Sequence, residues 1–160
     1  MPEEKPIVIV DMDGTLADVG HRLHYIRGKG KQDWKKFFSE QRHDLPIKPI
    51  LKQVCELASN HEIVIVTGRP EQYFHETQQW LHKYKVPYSR LYMRPAGDHR
   101  PDFLVKKDIL KKKIGAQHVV MVLEDRPRVC EMYRQAGLKV IEVPSDQWSQ
   151  EVNEIYRERS

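Results

Sequence analysis

Apolar residues along this chain arrive in short bursts, and each burst stops at a polar turn. The first is Ile7-Val8-Ile9-Val10, four consecutive β-favouring aliphatic residues that predict a strand buried on both faces. Ile63-Val64-Ile65-Val66 and Val119-Val120-Met121-Val122-Leu123 repeat the pattern, Val140 to Val143 is a shorter version, and Pro87 to Met93 predicts an edge strand. Between the bursts the apolar period becomes helical. Ile50, Leu51, Val54, Leu57 and Ala58 predict a helix over Ile47 to Ser59, with Asn60 as its stop. Pro70 to Tyr84, Asp102 to Ile114 and Pro127 to Gln135 predict three more, with Pro70 in the first turn of its helix and Gly137 ending the last. A polar helix or tail is expected beyond Val143. The least regular stretch, Ala17 to Pro46, carries one short predicted helix over Lys31 to Gln41, whose apolar stripe is Trp34, Phe37 and Phe38.

Strands alternating with helices of this length predict an α/β fold, with a mostly parallel sheet, helices on both faces and right-handed crossovers. Open sheets of this kind bind ligands at the carboxyl ends of their strands. That rule gathers Asp11, Asp13, Thr67, Arg69, Glu124 and Asp125 on one rim. Asp11 and Asp13 are two apart in extended chain, so both face one site while Met12 points elsewhere. Paired carboxylates are costly unless positive charge lies between them, and a hard oxygen-seeking cation such as Mg²⁺ is the usual answer. Gly14 permits the turn that follows.

Composition narrows the class. The 160 residues suit one domain with a sizeable core, and 39% hydrophobic with 31% charged residues reads as a globular protein. No apolar run approaches the roughly 20 residues of a membrane helix, and Met1-Pro2-Glu3-Glu4-Lys5 lacks a signal-peptide pattern, so a cytoplasmic location without a membrane is expected. The net charge of +4 mildly favours anionic partners. Cys55 and Cys130 lie in predicted helices without metal-ligand spacing and are expected to be reduced core residues; His and Cys spacings give no zinc site. Gly28-Lys29-Gly30-Lys31 lacks the spacing and preceding strand of a phosphate-binding loop, so no kinase activity is expected.

Asp-x-Asp-Gly-Thr-Leu after a buried strand resembles the first motif of the haloacid dehalogenase (HAD) superfamily of phosphotransferases. The other HAD motifs follow in order: Thr67 ending a strand, Lys106 or Lys107 near a helix start, and Glu124-Asp125 after another strand. Within the superfamily the chain is most similar to the 3′-phosphatase domain of phage-type polynucleotide kinase-phosphatases. That closer likeness rests on Val66-Thr67-Gly68-Arg69, the Tyr73 to Trp80 helix, Asp102 with Val105-Lys106, Glu124-Asp125-Arg126, Val129, Glu131-Met132-Tyr133-Arg134 and Gly137. It departs in Glu124 where Asp is more usual, in Thr67 where that branch carries Ser, and in a longer insertion after the first motif.

The resemblance implies a single domain over 1–160 with a Rossmann-like three-layer HAD fold and a small cap inserted at about 18–46. It implies a Mg²⁺-dependent phosphomonoesterase that removes a terminal 3′-phosphate from a polynucleotide in end healing or repair. Asp11 would attack phosphorus to give an aspartyl-phosphate, and Asp13 would protonate the leaving oxygen and later deprotonate water. Asp11, Asp13 through its backbone carbonyl, Asp125 and Glu124 would form the metal set. Thr67 would bind a phosphoryl oxygen, although it also suits a helix cap, and Lys106, chosen over Lys107 from the family pattern, would supply charge. Gly68, Arg69, Arg22 and Asp102 are candidate substrate-binding residues, Arg69 for its planar fork and Asp102 to orient Lys106 or Arg69. The cap's His21, Arg22, His24, Arg27, Lys29 and Lys31, interleaved with Tyr25 and Trp34, would hold phosphates and stack a base, while Trp34, Phe37 and Phe38 read better as packing. Lys107, Lys111, Lys112 and Lys113 read equally as a solvated face or a track for a nucleic-acid backbone. A separate kinase or ligase partner fits the same resemblance. The alternatives are a nucleotidase acting on free mononucleotides and a nucleic-acid-end binding module without turnover.

Overall fold

The computed structural model describes residues 4–27 and 30–144. A five-stranded, wholly parallel sheet forms its centre, in the order β5-β4-β1-β6-β7. The strands are β1 (Ile7–Val10), β4 (Glu62–Pro70), β5 (Arg90–Arg94), β6 (Val119–Glu124) and β7 (Val140–Glu142). A two-stranded antiparallel ribbon, β2 (Ala17–Asp18) with β3 (Leu45–Pro46), interrupts the series after β1.

The unbroken aliphatic run of β1 has a direct cause, because it is the middle strand and both of its faces are covered. Ile7 and Ile9 pack with Val105 and Ile109 of α4 (Asp102–Ile109) and with Val129, Met132 and Tyr133 of α5 (Pro127–Gln135). Val8 and Val10, pointing the other way, pack with Val54 of α2 (Lys48–Leu57) and with Trp80 and Leu81 of α3 (Phe74–Lys83). This three-layer α/β arrangement is the one the alternating pattern predicts.

Several boundaries differ from the sequence reading. Pro70 does not open α3; it ends β4 in extended conformation (ψ 141°), and a 3₁₀ turn over Glu71–Tyr73 precedes the helix. The polar tail of β4 stays in the sheet because Pro70 pairs with Arg94, across a register shift after Val66 that re-aims Thr67, Gly68 and Arg69. The helix predicted over Asp102 to Ile114 is α-helical only to Ile109 and then widens into a π turn over Leu110–Ile114. Cys55 is exposed on α2 rather than part of the core, whereas Cys130 is buried, and both are free. The helix or tail expected beyond Val143 falls on 145–160, outside the described residues.

The insertion between β1 and α2 holds β2, a 3₁₀ turn over Gly20–Tyr25, the short helix α1 (Trp34–Ser39), a second 3₁₀ turn over Glu40–His43, and β3. It has a small core of its own, in which Val19, Leu23, Ile26, Trp34, Phe37 and Phe38 are buried together. The three aromatic residues of α1 pack there, as the spacing suggests. No helix among the described residues is long and apolar enough to cross a membrane.

Candidate active site

The chain leaves β1 in a tight loop. The Met12 carbonyl accepts from the amides of Thr15, Leu16 and Ala17, and Gly14 adopts φ +85°, which L side chains rarely tolerate. The loop holds Asp11 and Asp13 at the carboxyl edge of the sheet, nearly buried, with quite different company.

Asp11 belongs to a carboxylate cluster. Glu124 and Asp125, delivered by the end of β6, place oxygens within 4.8 Å of an Asp11 oxygen and of each other. Thr15 Oγ1 lies 3.3 Å from Asp11 Oδ2 and 3.2 Å from Asp125 Oδ1, so its one proton serves either acid. Lys106 Nζ donates to Asp11 Oδ1 at 2.8 Å and to Glu124 Oε1 at 3.0 Å, and Asp102 Oδ2 lies 3.4 Å away. Burial would lower the Lys106 amine, but Asp102, Asp11 and Glu124 outweigh it and hold the amine well above its ordinary range, so it is a cation. Lys107, its neighbour, is exposed. The run Lys111 to Lys113 is exposed too, about 10 Å further along the helix axis, and Lys112 approaches Asp108.

Three buried carboxylates around one ammonium leave the cluster short of positive charge. Glu124 and Asp125 are both pushed well above the usual carboxylate range, first by burial and then by the charge of Asp11. Glu124 Oε2 and Asp125 Oδ2 are buried without a hydrogen-bond partner. Oxygens converging from three buried acids, two of them without a partner, are the donor set a hard divalent cation takes. The residues present therefore fit such an ion.

Asp13 faces the cap instead. Arg69 Nη2 and Nε donate to Asp13 Oδ1 at 2.6 and 2.9 Å, and Arg22 Nη2 adds a third bond at 3.1 Å. Asp44, from the end of the cap, closes the network. It accepts from Arg22 Nε (2.9 Å), Arg22 Nη2 (2.9 Å) and Arg69 Nη2 (3.1 Å), and His21 Nε2 lies 2.6 Å from it. Burial would raise the Asp13 carboxyl, but the guanidinium groups of Arg69 and Arg22 outweigh it and hold the acid well below the usual carboxylate range.

This placement corrects the reading of Arg69 and Arg22 as substrate contacts. Both are completely buried. The remaining Arg69 nitrogen meets Gln41 Oε1 (2.6 Å) and Thr77 Oγ1 (3.5 Å), and Arg22 Nη1 donates to the Phe37 carbonyl while its guanidinium lies 4.4 Å from the Phe37 ring centre. Their forks are spent on Asp13 and Asp44. Asp102 orients Lys106, not Arg69, and also meets Arg94 Nη2 (3.2 Å) and Arg126 Nη1 (3.6 Å). Gly68 packs its backbone against Asp102, since a Cβ there would lie 2.9 Å from Asp102 Cγ. Thr67 is buried, and its hydroxyl accepts the Arg69 amide at 3.2 Å. Of the basic cap residues, His24, Arg27 and Lys31 stay on the surface, and Lys29 lies outside the described residues. Sequence reasoning assigned no role to Thr15, Asp44, Arg94 or Arg126; Thr15 lies inside the first motif and Arg126 inside the Glu124-Asp125-Arg126 motif, while the other two gave no local signal.

A carboxylate at the end of the central strand, a lysine bonded to it and an acidic pair at the end of the neighbouring strand define a phosphatase of the HAD superfamily. Residues 5–148 match the polynucleotide kinase PNKP phosphatase domain, and the chain belongs to that family. It is 28% identical over 138 residues to a protein of Autographa californica nuclear polyhedrosis virus described as a bifunctional polynucleotide kinase/RNA ligase, which covers 84% of this chain and 18% of the viral protein. Among solved structures it is similar to a chain of the Pnkp1/Rnl/Hen1 RNA repair complex, with 26% identity and a TM-score of 0.71 over 89% of this chain and 44% of that one. A HAD-hydrolase of Bacillus subtilis bound to magnesium shares the fold at 11% identity, with a TM-score of 0.64 over 92% and 90% of the two chains. The chain thus spans less than half of the first two relatives.

Proposed function

We propose that this chain is a Mg²⁺-dependent phosphomonoesterase that removes the terminal 3′-phosphate of a polynucleotide during end repair. The observation that carries the reading is the pair of contacts at Asp11: a lysine at 2.8 Å and an acidic cluster in which one oxygen each of Glu124 and Asp125 lacks a partner. Family membership favours the polynucleotide as substrate, and the names of the viral and repair-complex relatives favour work beside a kinase or ligase.

Asp11, Asp125 and the backbone carbonyl of Asp13 would hold Mg²⁺, with Glu124 behind them, and the ion would screen the charge on the phosphoryl oxygens. Asp11 attacks phosphorus, forming an acyl-phosphate bond as the bond to the sugar oxygen breaks. Lys106, bonded to Asp11 and Glu124, holds the nucleophile's orientation and faces the incoming negative charge. Thr67 donates its hydroxyl hydrogen to a phosphoryl oxygen. Asp13 is the proton carrier. It gives a proton to the departing sugar oxygen, then takes one from the water that hydrolyses the aspartyl-phosphate, releasing inorganic phosphate and restoring Asp11. In the clamp of Arg69 and Arg22 it is an anion that resists protonation, so both transfers require the carboxylate to leave those guanidinium groups.

The test is phosphate release, with Mg²⁺ and with EDTA, from a 3′-phosphorylated oligonucleotide, a 3′-mononucleotide and a 5′-mononucleotide. Metal-dependent release favouring the oligonucleotide supports the proposal. Equal or better release from free nucleotides replaces it with a nucleotidase, and silence on all three replaces it with a binding module.

A further inference from the structure

A concavity that shares no lining residue with the carboxylate cluster takes no part in the chemistry above. It has a volume of about 350 Å³, within the range of small-ligand sites. Three segments wall it: α1 of the cap, the 3₁₀ turn after β4, and the loop between β5 and α4. Its apolar wall is a row of rings. Phe38 lies 6.0 Å from Trp34 and 5.4 Å from Tyr73, each pair tilted by 31°, so the row runs from the cap to the sheet side. Trp34 and Phe38 are otherwise packed, and Tyr73 keeps part of its surface exposed in the concavity. Lys35 from the cap and His99 from the β5–α4 loop, both exposed, flank the rings.

A relay of side-chain contacts links the wall of the concavity to Asp11. Arg94 in its wall donates to the Gly68 carbonyl at 2.9 Å and to Asp102 Oδ1 at 3.2 Å; Asp102 meets Lys106, and Lys106 meets Asp11. Pro70, another wall residue, directly follows the Thr67-Gly68-Arg69 segment. We infer that this concavity is the subsite for the nucleobase of the nucleotide bearing the scissile phosphate, stacked against Tyr73 at the end of the ring row, with Lys35 and His99 beside the adjoining sugar-phosphate chain. Stacking on aromatic rings is indifferent to base identity, because every base has a π face, and lysine attracts the backbone phosphates. The concavity offers the partly exposed face of Tyr73, and Asp98, its one carboxylate, is bonded to Arg100. The occupant is therefore an uncharged planar ring attached to an anionic chain rather than a cationic ligand.

The inference rests on the proposed phosphatase reading, and its test separates the two. The probe is a 3′-phosphorylated oligonucleotide ending in fluorescent 2-aminopurine, mixed with Mg²⁺ and the whole Asp11→Asn chain so that turnover does not intervene. Binding should quench the terminal base. Adding Tyr73→Ala should abolish the quench and weaken binding roughly ten- to hundred-fold, whereas Tyr73→Phe in the same background should keep both and exclude a mere folding defect. A matching oligonucleotide without its terminal base should bind about as weakly to the intact site as the normal one binds to Tyr73→Ala. A free 3′-phosphorylated 2-aminopurine nucleotide distinguishes a polymer end from a mononucleotide as the source of the base. No quench, or a quench that survives Tyr73→Ala, overturns the subsite. If native protein then still releases phosphate from p-nitrophenyl phosphate, the phosphatase reading stands without it. A Tyr73-dependent quench without release from any ester upholds the base subsite and overturns the phosphatase.

Discussion

Gly68→Ala is the smallest change that tests how Lys106 is held. An added Cβ would sit 2.9 Å from Asp102 Cγ and closer still to its Oδ1. Carbon atoms rest at about 3.5–4.0 Å, so the carboxylate must retreat by about 1 Å. Asp102 is buried, with Arg94 at 3.2 Å, Lys106 at 3.4 Å and Arg126 at 3.6 Å, and a shift of that size takes these contacts out of useful range. Overpacking at a buried site should cost about 1–3 kcal/mol of stability. Lys106 would keep only Asp11 and Glu124 as guides, and a displacement of about 1 Å in a positioning group lowers turnover on the order of 100-fold. The assay is single-turnover phosphate release from a 3′-phosphorylated oligonucleotide, with urea unfolding alongside. Gly137→Ala is the control, since Gly137 has φ +86° with nothing near an added Cβ: it should lose about 1 kcal/mol by backbone strain and keep its rate. A Gly68→Ala protein that turns over like the intact one would refute the claim that Asp102 sets the lysine.

Three further outcomes are expected. Lys106→Ala should lose turnover and about 3–5 kcal/mol of stability, because it strands Asp11, Glu124 and Asp102 as buried acids, while exposed Lys107→Ala should do neither; urea unfolding with the same release assay reads both. Mg²⁺ at a hundredfold excess over its dissociation constant should stabilise the fold by about 2.7 kcal/mol in thermal unfolding, and Asp125→Asn should remove most of that gain without reference to activity. Glu62 bridges β4 to Arg90 of β5 through bonds of 2.9 and 3.2 Å; burial would raise its carboxyl, but the Arg90 bond and others outweigh it and lower it. Its stabilisation is therefore complete at neutral pH and lost as pH falls through the lowered value. Exposure keeps it under about 1 kcal/mol, so the stability difference between Glu62→Gln and intact protein should vanish in acid.

The strands and their polar endings were legible because burial on two faces leaves no freedom of composition. Ile7 to Val10 must be aliphatic wherever α2, α3, α4 and α5 cover the strand, and the first acid must fall where that cover ends. Local pattern is blind to what a side chain meets across the fold. Thr67 to Pro70 look like a turn, yet they stay in the sheet because Arg94, far along the chain, pairs there. Arg69 has the composition of a phosphate ligand, and its actual partners, Asp13 and Asp44, lie 56 and 25 residues away. Cys55 falls on a predicted helix, but which face meets the sheet is settled by the packing of Val54 and its neighbours.

Those distant pairings divide the buried charge into two groups with different needs. On the cap side, two guanidinium groups meet two carboxylates, Asp13 and Asp44, so the charge balances within the protein and the cap is held down by it. On the sheet side, Lys106 bonds Asp11 and Glu124 but not Asp125, and one oxygen each of Glu124 and Asp125 lacks a partner, a donor set that fits a cation from outside. Asp13 stands at the border, two residues from Asp11 yet neutralised by Arg22 of the cap and Arg69 of β4. Arg22 from the insertion and Arg69 from β4 are both engaged by Asp13 and Asp44, and on the proposed mechanism their joint hold on Asp13 sets when the proton carrier is free. On the proposed mechanism, charge for the phosphoryl group comes from Lys106 and a bound divalent ion, and for that reason the metal and the lysine should each be indispensable to turnover.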